Sequence, residues 1–133
     1  MQTWTEKLNS SKSPQKKRLE KSVAGMPAGA MMYISTPQEI DGYIKKILPG
    51  RSVRVKQMRD DLAALNKADC TCPLTTGIFL RIVAEAAFEQ IKSGNTSNPT
   101  PFWRAIEPGA GIVKKLSFGR EFIQQKRDEE HIP

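Results

Sequence analysis

Two cysteines, Cys70 and Cys72, and a single histidine, His131, are the only thiols and the only imidazole that the chain offers to nucleophilic or metal chemistry. A structural zinc site needs four ligands at fixed spacings, and a hydrolytic set needs a base beside its nucleophile. Neither can be assembled here, and there is no Gly-rich phosphate loop, so no metal and no cofactor is expected. Cys72 precedes Pro73 where a helix begins, and a helix dipole at that place favours a thiolate; the competing reading is a small buried cysteine. His131 stands two residues from the end of the sequence, a poor place for a catalytic base. The remaining chemistry is electrostatic. The formal charge is +7, and between Gly42 and Arg59 stand Lys45, Lys46, Arg51, Arg54, Lys56 and Arg59 with no Asp or Glu among them. Such a stretch either attracts phosphates or forms a solvated helical face.

The elements that must hold these residues are legible in part. Thr36-Pro37-Gln38-Glu39 reads as a helix start, with Ile40, Tyr43, Ile44 and Ile47 at helical spacing before Leu48-Pro49-Gly50. A second helix follows Ser52, with Val55, Met58, Leu62 and Leu65 inward. A third runs from Pro73 to about Ser93, with Ile78, Ile82 and Phe88 on its expected core face. Gly94 to Pro101 is a loop. Phe102 to Ile106 and Ile112-Val113 read as the two strands of a hairpin around the turn Glu107 to Gly111. Ser117 to His131 reads as a closing helix anchored by Phe118, Phe122 and Ile123. Residues 1–29 read as a basic, flexible segment, although Trp4 and Leu8, four apart, leave room for a short docking helix; Ala30 to Ser35 is a candidate strand. Residues 30–133 are the expected folded domain. The most apolar run, Ile78 to Phe88, is broken by Arg81 and Glu85, which excludes a membrane span. With no secretory leader expected, the location expected is the cytoplasm, with the cysteines reduced. The fold class expected is mainly α with a small β-hairpin, in the order of a winged helix-turn-helix.

Ile47 to Val53, Met58 to Leu62, Leu74-Thr75-Thr76-Gly77, Pro101-Phe102-Trp103-Arg104-Ala105-Ile106, Gly109 to Val113 and Ser117 to Glu130 resemble, in order and spacing, the DNA-binding half of the alkylguanine-DNA alkyltransferases. The resemblance covers about Ile40 to His131. It implies a winged helix-turn-helix of the alkyltransferase DNA-binding type, in which Leu74 to Gly77 open the recognition helix. It also marks departures. Phe102 occupies the family's cysteine position and Trp103 its histidine position, Val55 stands for the base-flipping tyrosine, and Leu74 stands for the arginine that fills the vacated stack. The chain is similar in type to the alkyltransferase-like proteins, which bind alkylated DNA without repairing it.

The resemblance therefore implies a non-catalytic protein that binds duplex DNA, either alkylated or plain, with a repair protein as an expected further partner. Arg54, Lys56 and Arg59 are the expected phosphate contacts. Thr75, Thr76 and Gly77 approach the groove, with Arg81 one turn further and Arg104 beside the reactive position. Phe102 and Trp103 either stack on an extruded base as a lesion pocket or pack the hairpin. As neighbours in a strand they are expected to split, Trp103 inward and Phe102 to the pocket. The alternatives are a protein-interaction module on the same fold, or alkyl transfer to a displaced acceptor, Cys72.

Overall fold

The computed structural model describes residues 2–10, 12–94 and 98–133. Five α-helices and a three-stranded sheet make up its regular structure: α1 (Trp4–Asn9), β1 (Gln15–Arg18), β2 (Met31–Ile34), α2 (Pro37–Lys45), α3 (Val55–Leu65), β3 (Cys70–Thr71), α4 (Pro73–Ser93) and α5 (Arg120–Glu129). The chain is thus mainly helical with a small sheet. Among the described residues no helix is long and apolar enough to cross a membrane.

α1 and α2 begin at side-chain caps. The Thr36 side chain accepts from the Glu39 amide ahead of α2, which has Pro37 in its first turn, and Pro73 opens α4 in the same way. Gly94, left-handed at φ 70°, ends α4. The long α4 is buried along most of its middle, from Phe79 to Ala87, because α1 and α2 cover one side and the segments after Pro101 the other. Its buried residues Leu80 and Val83 pack with Ile40, Ile44, Met58, Leu62, Phe102, Ile106 and Ile123 into the main core. Ile82 is buried and Phe88 half-buried as expected, but Ile78 is 59% exposed. The inward side of that turn is taken by Phe79 instead.

The sheet has the order β1-β2-β3. β1 pairs antiparallel with β2, and β2 pairs parallel with β3, with Tyr33 opposite Thr71. α2 and α3 form the crossover that parallel pairing demands. The strand expected at Ala30 to Ser35 is thus β2. The segment read as a flexible N-terminal tail carries two elements of the fold, α1 and β1. Between β1 and β2 the chain turns tightly at Ala24 and Gly25, both at positive φ, with Val23 and Met26 bridged. Leu19, Met26 and Ala30 then form a second small core with Met32 and Cys72. Exposed β1, Gln-Lys-Lys-Arg, is an edge strand blunted by its own charges.

The expected hairpin is absent. Phe102–Arg104 and Gly111–Lys115 are 3-10 turns, closed by local hydrogen bonds such as Ala105 N–H to the Phe102 carbonyl (3.0 Å) and Leu116 N–H to Val113 (3.2 Å). A strand would send successive side chains to opposite faces, whereas Phe102, Trp103, Ala105 and Ile106 are all buried. The aromatic run is short because it turns, and its β-prone composition reflects core packing. Of the loop expected at Gly94 to Pro101, residues 95–97 lie outside the described residues.

Candidate nucleic-acid interface

α4 starts at Pro73, after buried Cys72, without a side-chain cap, and its Thr76 N–H closes the first turn on the Cys72 carbonyl (3.2 Å). The Thr76 hydroxyl donates back to the Cys72 carbonyl (2.7 Å) and its side chain is fully buried, so Thr76 is not a groove residue. Thr75 is half-buried, its hydroxyl 3.5 Å from the same carbonyl. Leu74 is 69% exposed and Ile78 stands beyond it at helical spacing on the open side. Between them Gly77 has open space: a Cβ built there would meet nothing within 4 Å. Protein packing therefore does not require this glycine, although in a helix interior it costs about 1 kcal/mol relative to alanine.

Leu74, Gly77 and Ile78 form the floor of a cleft of about 790 Å³. One wall is α1, through Trp4 and Lys7; the other is the second 3-10 turn, through Gly111, Ile112 and Lys115. Arg81 lies between them with its guanidinium 5.2 Å from the centre of the Trp4 ring, and its Nε is buried without a hydrogen-bond partner. Lys7 stands 4.3 Å over the same ring. The lining thus contains three cations, an apolar surface and no Asp or Glu.

Two carboxylates, one turn apart on α4, hold the walls. Buried Glu85 accepts from the Ser117 amide (2.8 Å) and hydroxyl (2.5 Å), fixing the chain just beyond Lys115. Glu89 accepts from the amides of Trp4 (3.3 Å) and Thr5 (3.0 Å) and from the Thr5 hydroxyl (2.7 Å), capping α1. Those hydrogen bonds, led by the hydroxyl, hold the Glu89 carboxyl below its usual range.

The expected phosphate contacts lie elsewhere. Arg54, Lys56 and Arg59 belong to the start of α3 and line none of the cleft. Arg54 is 3.8 Å from Glu107 and Lys56 is 3.1 Å from Asp60, pairs exposed enough to open to a stronger anion. Arg104, expected at the DNA, is internal: its Nε and Nη2 each donate to Glu130 at 2.8 Å, and its Nη1 donates to the Ile47 carbonyl at 2.7 Å. Trp103 Nε1 (2.9 Å) and the Gly50 amide (3.1 Å) also donate to Glu130. Its carboxyl is held down to about 2, first by the Arg104 hydrogen bonds and against the cost of burial.

Phe102 and Trp103 do not split as expected. Phe102 is fully buried, its ring centre 5.3 Å from that of Phe118 and 6.0 Å from that of Phe122, and Trp103 is 6% exposed. Both rings pack in the protein interior, and Trp103 also borders a small cleft of about 270 Å³ with Lys45, Pro101, Arg104 and Lys126. Cys72 is buried in the small core, and burial pushes the Cys70 thiol up, aided by Asp69. His131 is exposed and lines no part of the cleft.

Sequence reasoning missed Trp4, Lys7, Ile112 and Lys115. A signal for α1 was present: Thr3-x-x-Glu6 is a capping box, and both of its hydrogen bonds form (Glu6 N–H to Thr3 Oγ1, 3.0 Å; Thr3 N–H to Glu6 Oε1, 2.9 Å). No family model, no curated protein and no solved structure matches the chain.

Proposed function

We propose that the chain binds duplex DNA through the cleft face of α4 and does so without covalent chemistry. The observation that carries this reading is the lining of the cleft, in which Lys7, Arg81 and Lys115 surround exposed apolar side chains with no carboxylate among them. Phosphates take the cations, while Leu74 and Ile78 meet sugars or thymine methyls, and Gly77 lets the duplex come close to the helix. α3 and α4 act as the helix-turn-helix pair of the alkyltransferase DNA-binding type, with Arg54, Lys56 and Arg59 as outlying phosphate contacts. The resemblance in sequence supports the DNA side of this reading, and the aromatic residues at the reactive positions support its non-enzymatic side. Alkylated guanine is the candidate lesion, and a repair protein the candidate second partner.

Fluorescence titration of the protein with plain and alkylguanine-containing duplexes, at several salt concentrations, tests the reading. The slope of log affinity against log salt is expected to be about −0.9 per phosphate contact, and Lys115→Ala should lower its magnitude by about one such contact. Absence of binding at low salt, or an unchanged slope in the variant, would overturn it. Equal affinity for the two duplexes would remove the lesion and leave duplex binding. The intact mass should be unchanged after incubation with the alkylated duplex; an added alkyl group that disappears in Cys72→Ser would establish a displaced acceptor.

A protein-interaction module is the second reading. It is favoured by a groove of about 820 Å³ between α2 and α3, where Leu48 and Leu65 are 62% and 75% exposed. That groove sets Glu39 and Asp61 beside Lys46 and Arg51, a balance that does not favour phosphate, so absence of duplex binding at low salt in the same titration series would favour this second reading.

A further inference from the structure

α1 has six residues, too few to be helical on its own in water. It exists because it is docked: Leu8 is buried against the main core, and Glu89 takes the amides of Trp4 and Thr5 and the Thr5 hydroxyl. That docking places Trp4 and Lys7 in the cleft wall, with Lys7 held over the Trp4 ring and Arg81 stacked near it. Undocked, Lys7 would be one more cation on a loose segment, and the cleft would lose one of its two walls.

We infer that Glu89 is a positioning residue that latches the N-terminal helix into the nucleic-acid interface, so that Lys7 contacts phosphate only while the latch is closed. The inference rests on the DNA-binding reading of the cleft, but it makes a demand of its own. By charge alone, removing a carboxylate near a DNA-binding face strengthens binding, because a repulsion is lost. The latch gives the opposite sign. Glu89 lies on α4, two turns beyond Arg81, and does not line the cleft. Its effect on DNA must therefore pass through α1.

The test uses the full chain with Glu89→Ala, Lys7→Ala and the double substitution, each checked for folding by its melting curve. Lys7→Ala should reduce the salt slope by about 0.9. Glu89→Ala should weaken binding to plain duplex and reduce the slope by at least as much. The double variant should bind no more weakly than Glu89→Ala, because Lys7 is already out of place. Amide hydrogen exchange of free protein gives a readout that needs no DNA: exchange at Lys7 and Leu8 should quicken in Glu89→Ala. Unchanged exchange there would overturn the latch whether or not the protein binds DNA. So would a Glu89→Ala protein that binds as tightly as the unaltered chain or tighter, or a Lys7→Ala penalty that persists in full without Glu89. Failure of the unaltered protein to bind duplex while exchange quickens as expected would overturn both the DNA reading and the interface role, leaving only the docking.

Discussion

A phenylalanine beside a tryptophan can line a pocket or fill a core. Phe102 is filling: no part of it reaches solvent, and its ring lies among Trp103, Phe118 and Phe122. Phe102→Ala should therefore cost about 3 to 5 kcal/mol of fold stability, the usual range for a buried aromatic. Binding to plain and alkylated duplexes should fall together with the melting temperature. A variant with a normal melting temperature that had lost only its preference for alkylated duplex would show that Phe102 reaches the DNA after all. This outcome was not legible in the sequence, since the spacing of Phe102 and Trp103 states only that they are neighbours. Burial of Phe102 depends on Phe118 and Phe122, sixteen and twenty residues further on, and Trp103 is held by Lys126 and Glu130. Arg104 was misread for a related reason. A cation in a DNA-binding motif is assigned to phosphate by default, and only the position of Glu130 at the end of α5 shows that it is already paired.

At the scale of elements, the two helices that open on proline were readable almost to the residue, because α2, with its Thr36 cap, and α4 start from local chemistry. The hairpin and the tail were not. Two 3-10 turns replace the hairpin because four nearby side chains must face the same core, and α1 and β1 take their places through contacts with residues from 13 to 85 positions away. The candidate site divides in the same way. Gly77 and Arg81 were found because both lie on α4, whereas Lys7 and Lys115 come from its two flanking walls. Gly77 allows a test at this level. Since a Cβ there meets nothing within 4 Å, Gly77→Ala should stabilise α4, by about 1 kcal/mol from helix propensity. If the duplex approaches that point, the same methyl should weaken DNA binding. The two effects have opposite signs, so a denaturant midpoint and a DNA titration on one variant suffice. A variant that is more stable and binds equally well would place the duplex away from the second turn of α4.

Across the whole molecule, Glu130 joins segments far apart in sequence. It receives the Gly50 amide from the loop after α2, Trp103 Nε1 and the Arg104 guanidinium from the first 3-10 turn, and it stands at the end of α5. Nearby, Arg127 Nη1 donates to the Trp103 carbonyl at 2.9 Å, so the end of α5 grips the turn twice. Gly50 is left-handed at φ 83°, and a Cβ there would lie 3.4 Å from the Glu130 carbonyl, which fits glycine to the clamp. The clamp has a definite pH signature. The Glu130 carboxyl is held at about 2 when folded, below the 4.5 of a free glutamate, so the folded state favours the charged form. Its stabilisation is therefore complete above about pH 4.5 and is lost as the pH falls towards 2. Glu130→Gln removes the charge at every pH and leaves the Arg104 guanidinium, 12% exposed, without its partner. The variant should be clearly less stable than the unaltered chain at pH 7, and the gap should narrow as both are taken from pH 4.5 to pH 2. Other carboxylates titrate in the same window, but they do so in both proteins and cancel in the difference. Urea midpoints at pH 7, 4 and 2.5 measure it: a gap that stays constant across that range would show that the charge on Glu130 contributes nothing, and that the clamp is held by packing alone.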